Sequence, residues 1–135
     1  MKYIFLVIFF FLMVFYIYSN NEYFSNINPR IAIVIPCIPK HVKYLKGLFK
    51  NINKQTRKPY KVIVALSSSN SEICLHVKSL KKHLDTSIKL IVDCISQKNN
   101  AASNRNRSLK HCLDVQYISF MDADDEMSKN KLKII

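Results

Sequence analysis

Apolar runs alternate with helical repeats along the chain from Arg30 onward. The runs at 31–35 and 62–66 are continuously apolar, and Pro36 and Ser67 follow them. Such runs are typical of strands that are buried on both faces. Between the two runs, apolar residues recur at the three- and four-residue spacing of one helical face, which predicts an amphipathic helix. These residues are Val42, Leu45, Leu48, Phe49 and Ile52.

The same alternation continues to the end of the chain. Ser67–Glu72 supplies side chains that cap helices, and a second helix is predicted from there to Leu84. A third strand is predicted over 88–92, a third helix over 101–113 and a fourth strand over 116–121. Strands that alternate with helices form βαβ units with right-handed crossovers. The pattern therefore predicts an α/β, Rossmann-like fold with a mostly parallel sheet of about four strands flanked by helices.

The amino terminus differs from this pattern. Residues 3–18 contain no charged residue, Gly or Pro, and Tyr lies at both ends of the run. This favours one transmembrane helix, a signal anchor over residues 1–19, because interfacial Tyr residues extend the 16-residue run toward a membrane-spanning length. A cleaved signal peptide is the alternative. The polar segment 20–29 reads as a stem, and residues 30–135 as the folded domain.

Charge sets the orientation of that anchor. Lys2 precedes the apolar run, whereas residues 19–30 carry only Glu22 and Arg30. The positive-inside rule then places the amino terminus in the cytosol and the body on the non-cytosolic side, in the lumen of the endoplasmic reticulum or Golgi for a eukaryotic or viral host. The 135 residues include 21 Lys and Arg against 9 Asp and Glu, for a net charge of +12. A basic surface favours anionic partners, but scattered lysines predict solvated faces, and no nucleic-acid partner is expected.

Four cysteines occur, at positions 37, 74, 94 and 112, and none forms a C-x-x-C pair. A zinc site of the usual spacing is therefore not expected. In an oxidising compartment the four could pair in three ways. Buried free thiols are the alternative.

An acidic run, Asp122-Ala123-Asp124-Asp125, ends the predicted fourth strand. Parallel strands bring their carboxyl ends to one edge of the sheet, where open α/β folds bind ligands. Three carboxylates placed together repel one another unless a cation lies between them, and hard divalent cations prefer carboxylate oxygen. A polar turn after a strand is the simpler interpretation.

Four segments resemble the amino-terminal half of a family-2-type glycosyltransferase with a GT-A fold. The strand at 33–36 is apolar and ends in Pro. The passage from Gln55-Thr56 through Pro59 into the next strand resembles the family's "Q-T, Pro, strand" passage. Asn104-Arg105-Asn106 resembles its "A-R-N" element, and residues 120–125 resemble its "F-L-D-x-D-D" motif. The resemblance extends from about residue 30 to residue 127.

The resemblance implies transfer of a sugar from a nucleotide-diphospho sugar to a glycan, protein or lipid acceptor. It assigns nucleotide-sugar binding to Pro36, Ser67, Arg105 and Asp122. Asp122 and Asp124 would hold Mn²⁺ or Mg²⁺, and two residues apart on extended backbone they would point the same way. Asp125 would point away and cap the next turn. On the helix, Arg105 could neutralise a phosphate, whereas Arg107 and Lys110 are expected on a solvated face.

The sequence departs from the family in two respects. Leu66-Ser67 stands where the family has an Asp pair that helps to hold the base, so a hydroxyl replaces a charge. The family's acceptor site and general base lie beyond the acidic motif, whereas this sequence ends ten residues after Asp125. The prediction is therefore the donor-binding half of a transferase, with no catalytic base assigned. The alternatives are a non-catalytic protein that binds nucleotide or a partner, and a metal-dependent phosphotransferase that uses Asp122 and Asp124.

Overall fold

Strands and helices alternate in the folded body as the hydrophobic pattern predicts. The computed structural model describes residues 12–13 and 28–133. The predicted anchor (1–19) and stem (20–29) therefore lie outside the described residues, except for residues 12–13 and 28–29. Among the described residues, no helix has the length and apolar character needed to cross a membrane.

The body contains four strands and three α-helices, joined by short 3₁₀ turns. In chain order these are β1 (Ile31–Cys37), α1 (Val42–Asn53), β2 (Lys61–Leu66), α2 (Ser71–Ser79), β3 (Lys89–Cys94), α3 (Ala101–Ser108) and β4 (Tyr117–Phe120). The 3₁₀ turns are Pro39–His41, Leu80–His83, Leu109–His111 and Lys131–Lys133. The second and third predicted helices thus end in 3₁₀ turns, and β3 extends two residues beyond its predicted end.

All the strand pairs are parallel, in the order β3-β2-β1-β4. Val34 of β1 lies opposite Ile63 of β2 on one side and Phe120 of β4 on the other. The predicted α/β fold with a four-stranded parallel sheet flanked by helices is confirmed. The chain proceeds from β1 outward to β2 and β3, and then returns to the other side of β1 to form β4.

The first strand continues through Pro36 to Cys37, whereas the sequence predicts that Pro36 stops it. The carbonyl of Val34 accepts a hydrogen bond from the Met121 N–H on the β4 side (3.0 Å). Pro36, two residues further along, faces that same side. Because β4 ends at Phe120, Pro36 has no strand partner there, and its missing N–H breaks no ladder bond.

The sheet has a core on each face. The larger core packs β1 and β2 against α1 and α2, and α1 contributes the five apolar residues of its predicted face. The smaller core contains Ala32, Val34, Ile63 and Cys112. On that face the helix α3 packs against β1 and β2, but its buried residues are polar, namely Asn104 and Ser108. A polar helix on a buried sheet requires internal hydrogen bonds.

One disulfide joins α2 to the end of β3, between Cys74 and Cys94. Cys37 and Cys112 are buried free thiols. The sequence left open whether the cysteines form disulfides or remain buried free thiols, and the structure contains one disulfide and two buried free thiols. Burial raises the pKa of the Cys37 thiol to about 12.

Candidate functional site

A cavity of about 410 Å³ opens at the carboxyl edge of the sheet. It lies between the segment after β1, the start of α3 with the loop before it, and the segment after β4. Its lining residues are Pro36, Cys37, Ile38, His41, Asn99, Asn100, Ala101, Asn104, Asp122, Ala123 and Asp124.

The position of this cavity follows from the strand order. β1 lies in the middle of the sheet, with β2 leading away on one side and β4 on the other. The connections after β1 and β4 therefore diverge and leave a crevice between them. Open α/β sheets bind their ligands in this crevice, where the strand order reverses.

The acidic segment forms a turn and is not extended, which corrects the geometry expected from the sequence. The N–H of Asp125 donates to the Asp122 carbonyl (3.1 Å), and the N–H of Asp122 donates to the Asp125 carboxylate (3.0 Å). Asp125 thus caps the turn that contains it. Asp122 and Asp124 both line the cavity, so the turn delivers two carboxylates to one wall and uses the third internally.

Arg105 contacts this acidic turn directly. Its Nη2 donates to Asp122 Oδ1 at 2.6 Å, between side chains that are 33% and 50% exposed. Its guanidinium lies 5.9 Å from the centre of the Phe120 ring. The Arg105 Nε is buried and has no hydrogen-bond partner among the described residues. Arg105 therefore balances one carboxylate, and 33% of its side chain stays exposed beside the acidic turn.

Ser67 lies behind the cavity wall and is fully buried. Its hydroxyl accepts a hydrogen bond from Asn104 Nδ2 (2.9 Å) and donates to the Asn99 carbonyl (3.4 Å). Asn104 and Asn99 line the cavity, whereas Ser67 does not. The Ser67 hydroxyl, which follows β2, thus positions Asn104, and Asn104 lines the cavity in its place. The sequence did not identify Asn104 as a site residue.

Arg107 forms an ion pair that has little exposure to solvent, so the prediction that it lies on a solvated face is wrong. Its Nη1 donates to Asp93 Oδ1 at 2.8 Å, and the two side chains are 16% and 11% exposed. Its Nη2 donates to the Leu66 carbonyl (3.3 Å) and to Asn104 Oδ1 (3.2 Å). Arg107 is therefore the link between a buried carboxylate and the amide that lines the cavity.

Asp93 also contacts Lys110 (3.1 Å) and His111 (3.2 Å). Burial of Asp93 opposes its ionisation, but the hydrogen bonds from Lys110 and His111 and the charge of Arg107 outweigh burial and hold its pKa below the usual range. The sequence contains one signal for this network. Asp93 directly follows the apolar run 90–92, and a charged residue within a strand of that kind requires a partner.

The loops after β2 and β3 are joined by backbone hydrogen bonds. The N–H of Ser68 donates to the Gln97 carbonyl (2.9 Å), and the N–H of Ser69 donates to the Ile95 carbonyl (3.1 Å). Among the described non-glycine residues, Ser68 alone has a positive φ, of 54°, a conformation that costs an L-residue about 1–2 kcal/mol. Asn70 and Asn100 then cap α2 and α3, accepting from Ile73 and Ser103 backbone N–H groups. These hydrogen bonds hold the loop after β3, which lines the cavity with Asn99 and Asn100, against the loop after β2 and the start of α3.

Three of the predicted site residues, Pro36, Asp122 and Asp124, line the cavity. Arg105 contacts one of them, and Ser67 supports the wall from behind. Within residues 28–133, no group of three or more His, Cys, Asp and Glu side chains is arranged to hold a metal ion. Metal binding by Asp122 and Asp124 therefore stays a prediction.

The sequence matches one family model over most of its length. The model, described as Glycosyl transferase family 2, matches residues 32–135. The matched region contains the parallel sheet, the polar helix α3 and the acidic turn. No curated protein is significantly similar to the sequence.

Solved structures of S. aureus TarS share the fold. A TarS 1–349 structure in complex with UDP has a TM-score of 0.62 and 23% identity, covering 78% of this chain and 30% of the other. The UDP-GlcNAc complex gives a TM-score of 0.57 and 22% identity, covering 78% and 29%. A third TarS structure gives 0.59 and 22%, covering 78% and 18%. The chain thus spans less than a third of the length of these proteins.

Proposed function

Because this chain belongs to glycosyl transferase family 2, we propose that its cavity binds the nucleoside diphosphate of a nucleotide sugar for a sugar-transfer reaction. The observation that carries the proposal is the cavity of about 410 Å³ at the reversal of strand order, with Asp122 and Asp124 in its wall. The TarS structures of similar fold were determined with UDP and with UDP-GlcNAc. This supports a nucleotide sugar as the ligand class.

The donor set fits a hard divalent cation carried by the diphosphate. Mg²⁺ is commonly bound through one or two carboxylates together with substrate phosphates, and this edge offers two, Asp122 and Asp124. Mn²⁺ accepts the same oxygen ligands. A cation bound there would stabilise the negative charge on the departing diphosphate.

Arg105 would neutralise the acidic turn before the donor binds. Its Nη2 holds Asp122 Oδ1 at 2.6 Å, and 33% of the side chain remains exposed. A guanidinium has five N–H donors, so this one contact leaves others unused. An arginine with a spare donor can keep one carboxylate oriented while it contacts a phosphate oxygen. We assign Arg105 this double role, which refines the phosphate contact implied by the sequence.

Asn104 would supply the polar contact that the sequence assigns to Ser67. The Ser67 hydroxyl is bonded to Asn99 and Asn104 and lies behind the wall, whereas Asn104 is part of the cavity lining. The Asn104 amide donates to Ser67 and accepts from Arg107, which leaves its second Nδ2–H for a ligand. Since Leu66 and Ser67 carry no charge, contacts from this side of the site to a base or ribose would be neutral hydrogen bonds. Pro36 would form part of the apolar floor.

The cavity assignment is tested by thermal unfolding of the full chain in detergent. UDP with Mn²⁺ should raise the melting temperature by a few degrees, because a ligand that binds only the folded state stabilises it. Asp124→Asn should remove this increase. Glu126→Gln is the matched control, since Glu126 is exposed, carries the same charge and does not line the cavity. An undiminished increase in Asp124→Asn would exclude the proposed role of Asp124.

We further propose a single-pass membrane protein whose body lies on the non-cytosolic side. The uncharged run at 3–18 supports membrane attachment, and the disulfide between Cys74 and Cys94 supports an oxidising compartment. In sealed vesicles with the cytosolic face outward, the body should resist added protease until detergent opens the membrane. Digestion of the body in intact vesicles would contradict this orientation.

A further inference from the structure

The charges of the body are separated between the two edges of the sheet. Six of the eight acidic residues in the range 28–133 lie at the carboxyl edge, in or beside the segments that follow β2, β3 and β4. They are Glu72, Asp93, Asp122, Asp124, Asp125 and Glu126. The acidic residues near the amino edge are Asp85 and Asp114. The cavity therefore opens at the acidic end of the body.

Eight of the fourteen exposed lysines and arginines in the range 28–133 lie at the opposite, amino-terminal edge. Some of these cations precede or begin strands. Others lie in the last turn of α1, in the loop after it or in the turn after α2. The remaining ones lie on the carboxy-terminal segment, which packs beside the loop after α1. The hydrogen bonds from Thr56 N to the Lys129 carbonyl (3.0 Å) and from Leu132 N to Gln55 Oε1 (3.3 Å) fix this last segment. The amino-edge basic surface consists of Arg30, Lys50, Lys54, Lys58, Lys82, Lys89, Lys129 and Lys133, all exposed.

Neighbouring acids offset only part of the charge of this surface. None of its eight members forms an ion pair with a described residue. Asp85 accepts hydrogen bonds from Ser87 N (2.9 Å) and Ser87 Oγ (2.8 Å), and Asp114 is paired with the buried Lys61. The charges of Lys58 and Lys89 act on Asp85 and Asp114. Two carboxylates therefore offset at most two of the eight exposed cations, and the edge keeps a net positive charge.

The chain enters the fold at this same edge. Arg57, in the loop after α1, donates from Nη2 to the Pro29 carbonyl (2.6 Å), just before β1 begins. In the sequence, nine residues (19–27) separate the uncharged run at 3–18 from residue 28. Nine residues span at most about 32 Å when fully extended. A membrane that holds the run would therefore lie within short reach of the amino edge.

We propose that the amino-edge basic surface lies against anionic lipid in the leaflet that faces the body, on whichever side of the membrane the body lies. This contact turns the acidic edge, with its cavity, toward the aqueous phase. Lysines close to an anionic bilayer are attracted by its surface potential, and carboxylates are repelled, so both edges favour this one orientation. The proposal concerns a different surface from the cavity, and it holds whether or not the cavity binds a nucleotide sugar.

Lysine footprinting on the full chain in nanodiscs tests this orientation. The discs contain either phosphatidylcholine alone or phosphatidylcholine with phosphatidylglycerol, and a neutral acylating reagent modifies the accessible amines before mass spectrometry. Lys50, Lys58 and Lys82 should be modified several-fold more slowly in the anionic discs, and high salt should abolish the difference. Lys40 and Lys98, at the carboxyl edge, should react equally in both. Equal rates for all lysines in the two discs, or slowing at Lys40 and Lys98, would overturn the proposal.

Two double variants change the net charge by the same amount at different edges of the sheet. Comparing them distinguishes an effect of the amino-edge basic surface from an effect of net charge. Lys54→Glu/Lys89→Glu should abolish the protection of Lys50 and Lys82, whereas Lys40→Glu/Lys98→Glu should leave it intact. Loss of protection in both variants would show that net charge alone causes the protection, and would overturn the proposal.

Duplex RNA added to the neutral discs tests the alternative partner. Protection by RNA, with none from phosphatidylglycerol, would assign the surface to nucleic acid instead. If the first variant fails to fold, the footprint of the unmodified chain still decides.

Discussion

Asp93 lies at the centre of the hydrogen-bond and ion-pair network between α3 and the sheet. It accepts from Arg107 and is contacted by Lys110 and His111. Through Arg107 it reaches Asn104 and the carbonyl of Leu66. This one carboxylate therefore connects the end of β3 to the wall of the cavity, although it does not line the cavity.

Replacing Asp93 by Asn should destabilise the fold by about 2 kcal/mol at neutral pH, because the partly buried Arg107 guanidinium loses its counter-charge. Lys110→Gln, which removes a partner that is 59% exposed, should cost less than about 1 kcal/mol. Urea unfolding at pH 7 measures both. Equal losses in the two variants would show that Arg107 is not the partner that matters.

The same carboxylate predicts an acid-dependent loss of stability. The pKa of Asp93 is lower in the folded protein than its ordinary value of 3.8, so the unfolded chain binds the proton more readily. Its stabilising contribution is therefore complete above that ordinary value and is lost as the pH falls through the lower, folded value. The free energy of unfolding should fall less steeply below about pH 4 in Asp93→Asn than in the unmodified chain.

At the scale of elements, the sequence predicts all four strands, all three helices and the face that α1 buries. Three details escape it for physical reasons. Pro36 stays in β1 because β4 ends before reaching it. The acidic segment closes into a turn because the carboxylate of Asp125 is bonded back to the N–H of Asp122. The polar side of α3 is buried because β2 and β3 supply partners for Asn104 and Arg107, and such distant partners are invisible to local periodicity.

The disulfide ties α2 to the end of β3, directly before the loop that forms one wall of the cavity. Reducing it should lower the free energy of unfolding by about 3 kcal/mol, since a cross-link between residues 20 apart restricts the unfolded chain. Urea unfolding with and without a reductant measures this loss. Cys74→Ser/Cys94→Ser is the control. It should match the reduced chain and be insensitive to reductant. Four free thiols in the untreated, denatured chain would contradict the pairing.

At the scale of the whole molecule, the two edges of the sheet carry different groups. The carboxyl edge carries the cavity, the acidic turn and Arg105, and the amino edge carries the exposed cations and the entry of the chain. The resemblance in the sequence identifies the family, which the match over residues 32–135 shows. Asp122 and Asp124, which the resemblance selects as metal ligands, both line the cavity, because the strand order brings the ends of β1 and β4 together. Their role as metal ligands stays a prediction. The roles of Ser67 and Arg107 required the tertiary contacts.

The central claim is that the cavity at the carboxyl edge holds a nucleoside diphosphate. The measurement that tests it most directly is photo-cross-linking of the full chain with 5-azido-UDP in the presence of Mn²⁺, followed by peptide mapping. The account predicts adducts on the segments that line the cavity, 36–41, 99–104 or 122–124, and their loss when unlabelled UDP is added in excess. Adducts that unlabelled UDP displaces from another region, such as the groove lined by residues 78–92, would contradict it, as would the absence of any displaceable adduct.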